Sequence, residues 1–128
     1  MHYEKKYILH FVILLACLIL SSCQKEGLSR GLYYADTEDG VAYLELKSRH
    51  DCSMWFNPDN KNDNGFWAVQ DGGINLTASA EIKIGRYTHY WYCSSDPNDS
   101  PVFDDAFFVT FHEIYRNRDF RLHFVRLK

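Results

Sequence analysis

The chain has 128 residues, enough for one domain and not for two. Its 17 acidic residues outnumber 14 basic ones, so it lacks the basic excess of a nucleic-acid binder, and an aromatic share of 16% excludes disorder. In chain order, Lys5 and Lys6 precede an apolar run from Tyr7 to Leu20. The run falls short of the roughly 20 residues that a membrane-spanning helix needs. A basic start and a short apolar middle are the layout of a secretory signal.

Leu20-Ser21-Ser22-Cys23 closes this segment. It resembles the lipobox of bacterial lipoproteins, in which the cysteine is acylated and becomes the new N-terminus. The resemblance implies a signal peptide over 1–22, a lipidated Cys23 with a tether over 23–30, and a folded domain over 31–128. Gln24-Lys25-Glu26 is similar to the surface-export signal of Bacteroidota lipoproteins. The expected place is the bacterial cell envelope, anchored to the outer membrane on its periplasmic face or at the cell surface. More than one acyl chain is needed there, since a single chain binds a bilayer only marginally. Loss of residues 1–22 removes Lys5, Lys6 and Glu4 and takes the net charge from -3 to about -4.

After Cys23 no stretch sustains a helical period, and strand-like runs follow one another between turns. Gly31–Ala35 opens, and Thr37-Glu38-Asp39-Gly40 turns the chain. Val41–Lys47 puts Ala42, Leu44 and Leu46 on one face. A turn over 48–51 leads to Cys52, Met54 and Phe56, again on one face. Asn57–Gly65 reads as a polar loop. Gly65–Val69 and Ile74–Thr77 flank Asp71-Gly72, a strong two-residue hairpin signal that sets Val69 opposite Ile74 and Trp67 opposite Leu76. Glu81–Cys93 is a long β-rich run, and Gly85 inside it marks a break. A polar loop over 94–101 precedes Val102–Tyr115 and Phe120–Leu127, which turn at 116–119. The reading is an all-β, antiparallel meander of about eight strands that closes into a small barrel. In an exported compartment Cys52 and Cys93 are expected to form a disulfide.

Four short pieces carry a further resemblance. Gly31-Leu32-Tyr33, Leu44-Glu45-Leu46, Gly65-Phe66-Trp67-Ala68-Val69 and Ile74-Asn75-Leu76 together resemble a calycin or lipocalin-like domain. That family implies an eight-stranded barrel that binds a small ligand at its mouth. In lipocalins a tryptophan near the start stacks under a basic residue of the final strand. Here Tyr33 holds that place, with Arg126 or Arg121 as its partner.

Residues that could carry chemistry are few. A turn about Asn117-Arg118 would set His112 opposite His123, but a metal needs a third ligand and none is fixed. Asn60–Asp71 has the length of a calcium loop, with Asn first and Asp last where Asp and Glu are wanted. No hydrolase, phosphate-loop or zinc-protease motif occurs, and His112 and Glu113, being adjacent in a strand, face opposite ways. No enzyme activity, metal or cofactor is expected. The expected function is a lipid-anchored, non-catalytic barrel that holds a small apolar or glycan-like ligand near Tyr33, Trp67 and Trp91. The alternative is a structural or protein-interaction lipoprotein, inhibitor-like, with a filled core. Its partners would then be envelope or extracellular proteins besides the membrane.

Overall fold

The computed structural model describes residues 28–127, so the signal segment and the lipidation expected at Cys23 lie outside the described residues. Eight strands run in order: β1 (Gly31–Thr37), β2 (Gly40–Leu46), β3 (Asp51–Trp55), β4 (Asn62–Gln70), β5 (Gly73–Ile84), β6 (Tyr87–Ser94), β7 (Ala106–Glu113) and β8 (Arg118–Arg126). Each pairs antiparallel with the next, and β1 pairs with β8, so the sheet closes into a barrel. Closure leaves no unpaired edge, which suits a chain this rich in β-forming side chains.

Alternation sorts the side chains. Ala42, Leu44 and Leu46 of β2 are buried, as are Cys52 and Met54 of β3 and His89, Trp91 and Cys93 of β6. The Asp71-Gly72 turn has both residues at positive φ (53° and 77°), the geometry of a type I′ hairpin. It pairs Val69 with Ile74 and Trp67 with Leu76, as the sequence pattern predicts.

Elsewhere boundaries and partners differ from expectation. β4 starts at Asn62, inside the expected loop, and Asn62 bonds Ser79 on β5. β5 is continuous to Ile84, where the chain turns before β6. Asp104 and Asp105 adopt φ of 54° and 55°, which ends any strand there, so β7 begins only at Ala106. The β7–β8 loop is Ile114–Asn117, with Asn117 at φ 47° and its N–H on the Ile114 carbonyl at 3.2 Å. His112 therefore pairs with Asp119, and His123 with Phe108.

Cys52 and Cys93 are free thiols, not the expected disulfide. They stand on β3 and β6, and β4 and β5 lie between those strands. Each thiol ends on a carbonyl of β5: Cys52 Sγ lies 3.7 Å from the Thr77 oxygen and Cys93 Sγ 3.6 Å from that of Leu76. Gly65 makes the first contact possible. A methyl at that position would overlap the Cys52 thiol and meet the Cys52 and Thr77 carbonyl oxygens at 2.9 and 3.0 Å.

The barrel axis is occupied by rings. From the end where Leu28–Arg30 lead into β1, Tyr33 touches Phe107 (5.7 Å between centroids), and Phe107 touches Phe124 (5.5 Å). Phe124 meets Phe111 and Phe111 meets Phe120, each at 6.2 Å. Phe120 then packs on Trp91 (4.2 Å), which packs on Phe56 (4.5 Å). Leu44, Leu46, Met54, Ile74 and Leu76 fill the space around this column.

Candidate functional site

The expected ligand residues do not converge. Tyr33 is fully buried near the tether end, where its hydroxyl donates to the Ser29 carbonyl and lies 3.4 Å from Asp105 Oδ1. Burial, and then the Asp105 charge, raise its pKa. Arg126 reaches the same Asp105 at 3.5 Å and does not stack on the Tyr33 ring; Arg121 lies over Phe108 instead. Trp67 is half-buried on β4, its Nε1 donating to the Lys47 carbonyl at 2.9 Å. Trp91 lies at the other end, wedged between Phe56 and Phe120, with Nε1 donating to Glu113 Oε2 at 2.6 Å.

That far end is closed by ions. Glu113 is fully buried and receives His89 Nδ1 at 3.1 Å and Arg116 Nη2 at 2.6 Å. Arg116 continues to Asp39 at 2.5 Å, and Arg118 bonds Glu38, so the β1–β2 turn is tied to the β7–β8 turn. Burial opposes ionisation of Glu113, but bonds from Arg116, His89 and Trp91 outweigh it and hold its pKa at about 2. The His89 ring is covered by Tyr115, 4.7 Å away. A histidine–carboxylate pair thus exists, packed into the core rather than opened to a substrate.

The concave surface lies outside the barrel wall. β6 and β7 pair through Trp91–Glu113 and Tyr92–His112, with the Ile114 N–H donating to the Tyr90 carbonyl at 3.0 Å, and beyond Tyr92 the strands part. The loop after β6 fills the gap by tracking along β5. Ser95 N–H donates to the Leu76 carbonyl at 2.8 Å, Ile74 N–H to that of Ser100 at 2.9 Å, and Val102 N–H to that of Gly72 at 2.9 Å. Gly73 permits this approach, because a side chain there would strike the Pro97 carbonyl. Asp96 caps the loop, accepting from the Asn98 N–H at 3.0 Å.

Between this loop and the outer face of β7 and β8 runs a groove of about 620 Å³. Its lining includes Ser94, Ser95, Asp96, Asn98, Thr110 and Arg121. Two aromatic residues stand near it by register without lining it: Tyr92 is two residues before Ser94 on β6, and Phe108 two before Thr110 on β7. Both rings are exposed. Tyr92 packs edge-on to His112 at 5.4 Å, Phe108 stacks on His123 at 4.2 Å, and the Arg121 guanidinium lies 4.9 Å from the Phe108 ring. The groove offers hydroxyl, amide, carboxylate and guanidinium groups, with partly exposed aromatic rings nearby. Sequence reasoning reads 94–101 only as a polar loop; its dense Asp, Asn, Ser and Pro signal a built turn, but not the strands it meets.

Among the described residues no three of His, Cys, Asp or Glu gather as a metal site. Compared with known proteins, the chain matches no family model, no curated protein and no solved structure.

Proposed function

We propose that this protein is a lipid-anchored, non-catalytic saccharide-binding module of the bacterial envelope, and that it binds on the outside of its barrel. The observation that carries this reading is a filled axis beside an open polar groove, with the exposed rings of Tyr92 and Phe108 at neighbouring strand positions outside its lining. An apolar ligand would need an interior space, and the column from Tyr33 to Phe56 occupies it. A sugar presents an apolar ring face and a rim of hydroxyls. Exposed aromatic faces and a short row of fixed polar groups match both parts.

The test is titration of the full-length protein in micelles with oligosaccharides drawn from an array. Tyr92→Ala and Arg121→Ala are each expected to weaken binding about tenfold, the worth of one ring or one charged hydrogen bond. Trp67→Phe is expected to leave it unchanged. Failure of every saccharide, or equal binding by the groove variants, overturns the reading.

A protein partner is the second reading, and one observation favours it. Tyr87, Ile114 and Tyr115 are all more than half or about half exposed at the opposite end, and Tyr87 and Tyr115 touch at 5.0 Å. Cross-linking that depends on Tyr115 and not on Tyr92 would move the function to that end.

A further inference from the structure

The tether end of the barrel carries a second concave site of different chemistry. Arg30, Lys47, Arg49 and His50 surround the Trp67 ring in a depression of about 530 Å³, and no carboxylate lines it. In an acidic chain this is a local reversal of charge. Arg116, Arg118 and Arg126 are each tied to carboxylates. Among the described residues, Arg30 and Arg49 form no ion pair. Lys47 is shared with Glu45 at 3.9 Å and Asp63 at 3.5 Å.

The backbone under these cations is strained and held. Arg49 and His50 sit at φ 59° and 66°, a region that side chains other than glycine adopt at a cost. Glycine would relieve that cost, yet the chain carries an exposed arginine there. The turn is pinned from both sides: Trp67 Nε1 donates to the Lys47 carbonyl at 2.9 Å, and His50 Nδ1 lies 3.0 Å from the Trp67 carbonyl. Strain that surrounding contacts hold in place is a mark of a site.

The position of the depression points to its occupant. Its wall includes Leu28 and Ser29, the residues through which the tether enters the barrel, and Ser29 N–H is fixed on Asp105 at 2.7 Å. The five residue-to-residue steps from Cys23 to Leu28 reach at most about 18 Å when extended. Phe66, 46% exposed beside His50, and Phe103, 82% exposed in the β6–β7 loop, are apolar groups at the same end.

We infer that this depression seats the phosphate of an anionic lipid headgroup, so that the barrel rests tether-end down on the bilayer that holds it. The inference rests on the lipid anchor proposed above. Arg30 and Arg49, without an ion pair among the described residues, supply the charge, Lys47 and His50 supply further donors, and Trp67 forms the apolar wall.

The experiment uses the full-length lipidated protein on vesicles of phosphatidylcholine alone and of phosphatidylcholine with phosphatidylglycerol. Flotation with both vesicle types tests the anchor by itself. Hydrogen exchange of the amides over 47–50 tests the seat. Exchange is expected to slow roughly fivefold or more on the anionic vesicles, about the worth of one cation at an anionic surface. High salt should abolish the slowing, as should the double variant Arg30→Glu, Arg49→Glu, while Arg49→Lys should keep it. Both positions are exposed, so the variants should fold, and unchanged exchange in β5 would confirm it. Equal exchange on the two vesicle types while the protein floats overturns the seat and leaves the anchor standing. Slowing by inorganic phosphate without slowing on anionic vesicles also overturns it, because the site would then take a free anion. Absence of flotation overturns the anchor reading instead.

Discussion

Glu113 owes its state to its neighbours rather than to its place in the chain. Burying a carboxylate costs several kcal/mol, and three donors on separate side chains offset that cost here. Removing the charge while leaving Arg116 in place should lower stability at neutral pH by about 3 kcal/mol in Glu113→Gln, read by urea denaturation. The pH dependence has a definite sign. The folded pKa of about 2 lies below the usual carboxylate value of about 4.3. The contribution is therefore complete above about pH 4.5 and lost as pH falls toward 2. Wild type should lose stability more steeply than Glu113→Gln across that window; parallel curves would refute the assignment. The cysteines follow the same logic of surroundings. Burial pushes both thiols up to about 12, so at neutral pH they should resist a thiol reagent until the protein unfolds. That both point inward was legible from strand alternation. Their failure to meet was not, because it depends on two strands that stand between them.

The two hairpins show which rules reach across from sequence to pairing. Asp71-Gly72 admits one tight turn, and that turn dictates every partner from Gln70–Gly73 back to Phe66–Thr77. Around Arg116–Asp119 no dipeptide is so restrictive, and the loop forms two residues earlier, over Ile114–Asn117. The shift in partners is four residues, an even number. Phe111, Leu122 and Phe124 consequently still face the core, although their expected partners were wrong. Alternation decides the face; turn chemistry decides the neighbour. The candidate groove was illegible for this reason, since Thr110 and Arg121 come beside Ser94 only through pairing. β4 offers a test of how closely its neighbours depend on it. Gly65→Ala forces a methyl onto the Cys52 thiol and two carbonyl oxygens, and should cost about 1–3 kcal/mol with loss of the β3–β4 register near the bulge at Cys52. A variant as stable as wild type in urea would show that the strands can part without penalty.

The barrel has two thin seams, and both border the same hairpin. β6 and β7 share two residue pairs, and β1 and β8 share two, Tyr33–Arg126 and Tyr34–Val125, each extended by one backbone bond, from Ile114 N–H to the Tyr90 carbonyl and from Leu127 N–H to that of Leu32. β5 and β6, in contrast, pair from Thr77–Ser94 to Ile84–Tyr87. The β7–β8 hairpin is thus held at its ends, by the Glu113–Arg116–Asp39 network and by Asp105 with Arg126, more than along its length. Native-state hydrogen exchange should find that this hairpin opens at a lower free energy than the β4–β6 ladder. Uniform protection around the ring would contradict it. The all-β closure was legible from the meander of short strands, whereas the uneven stitching was not, because ladder lengths depend on where loops break. The late seam between β1 and β8 also bears on how the protein is made. β8 is synthesised after every other strand, and without it β1 lacks one neighbour, Phe107 lacks Phe124 and Trp91 lacks Phe120. The growing chain can form hairpins but no sealed core, so it stays threadable until β8 has emerged. If the chain is exported as proposed above, an assembly step that waits for the final strand keeps it unfolded until then.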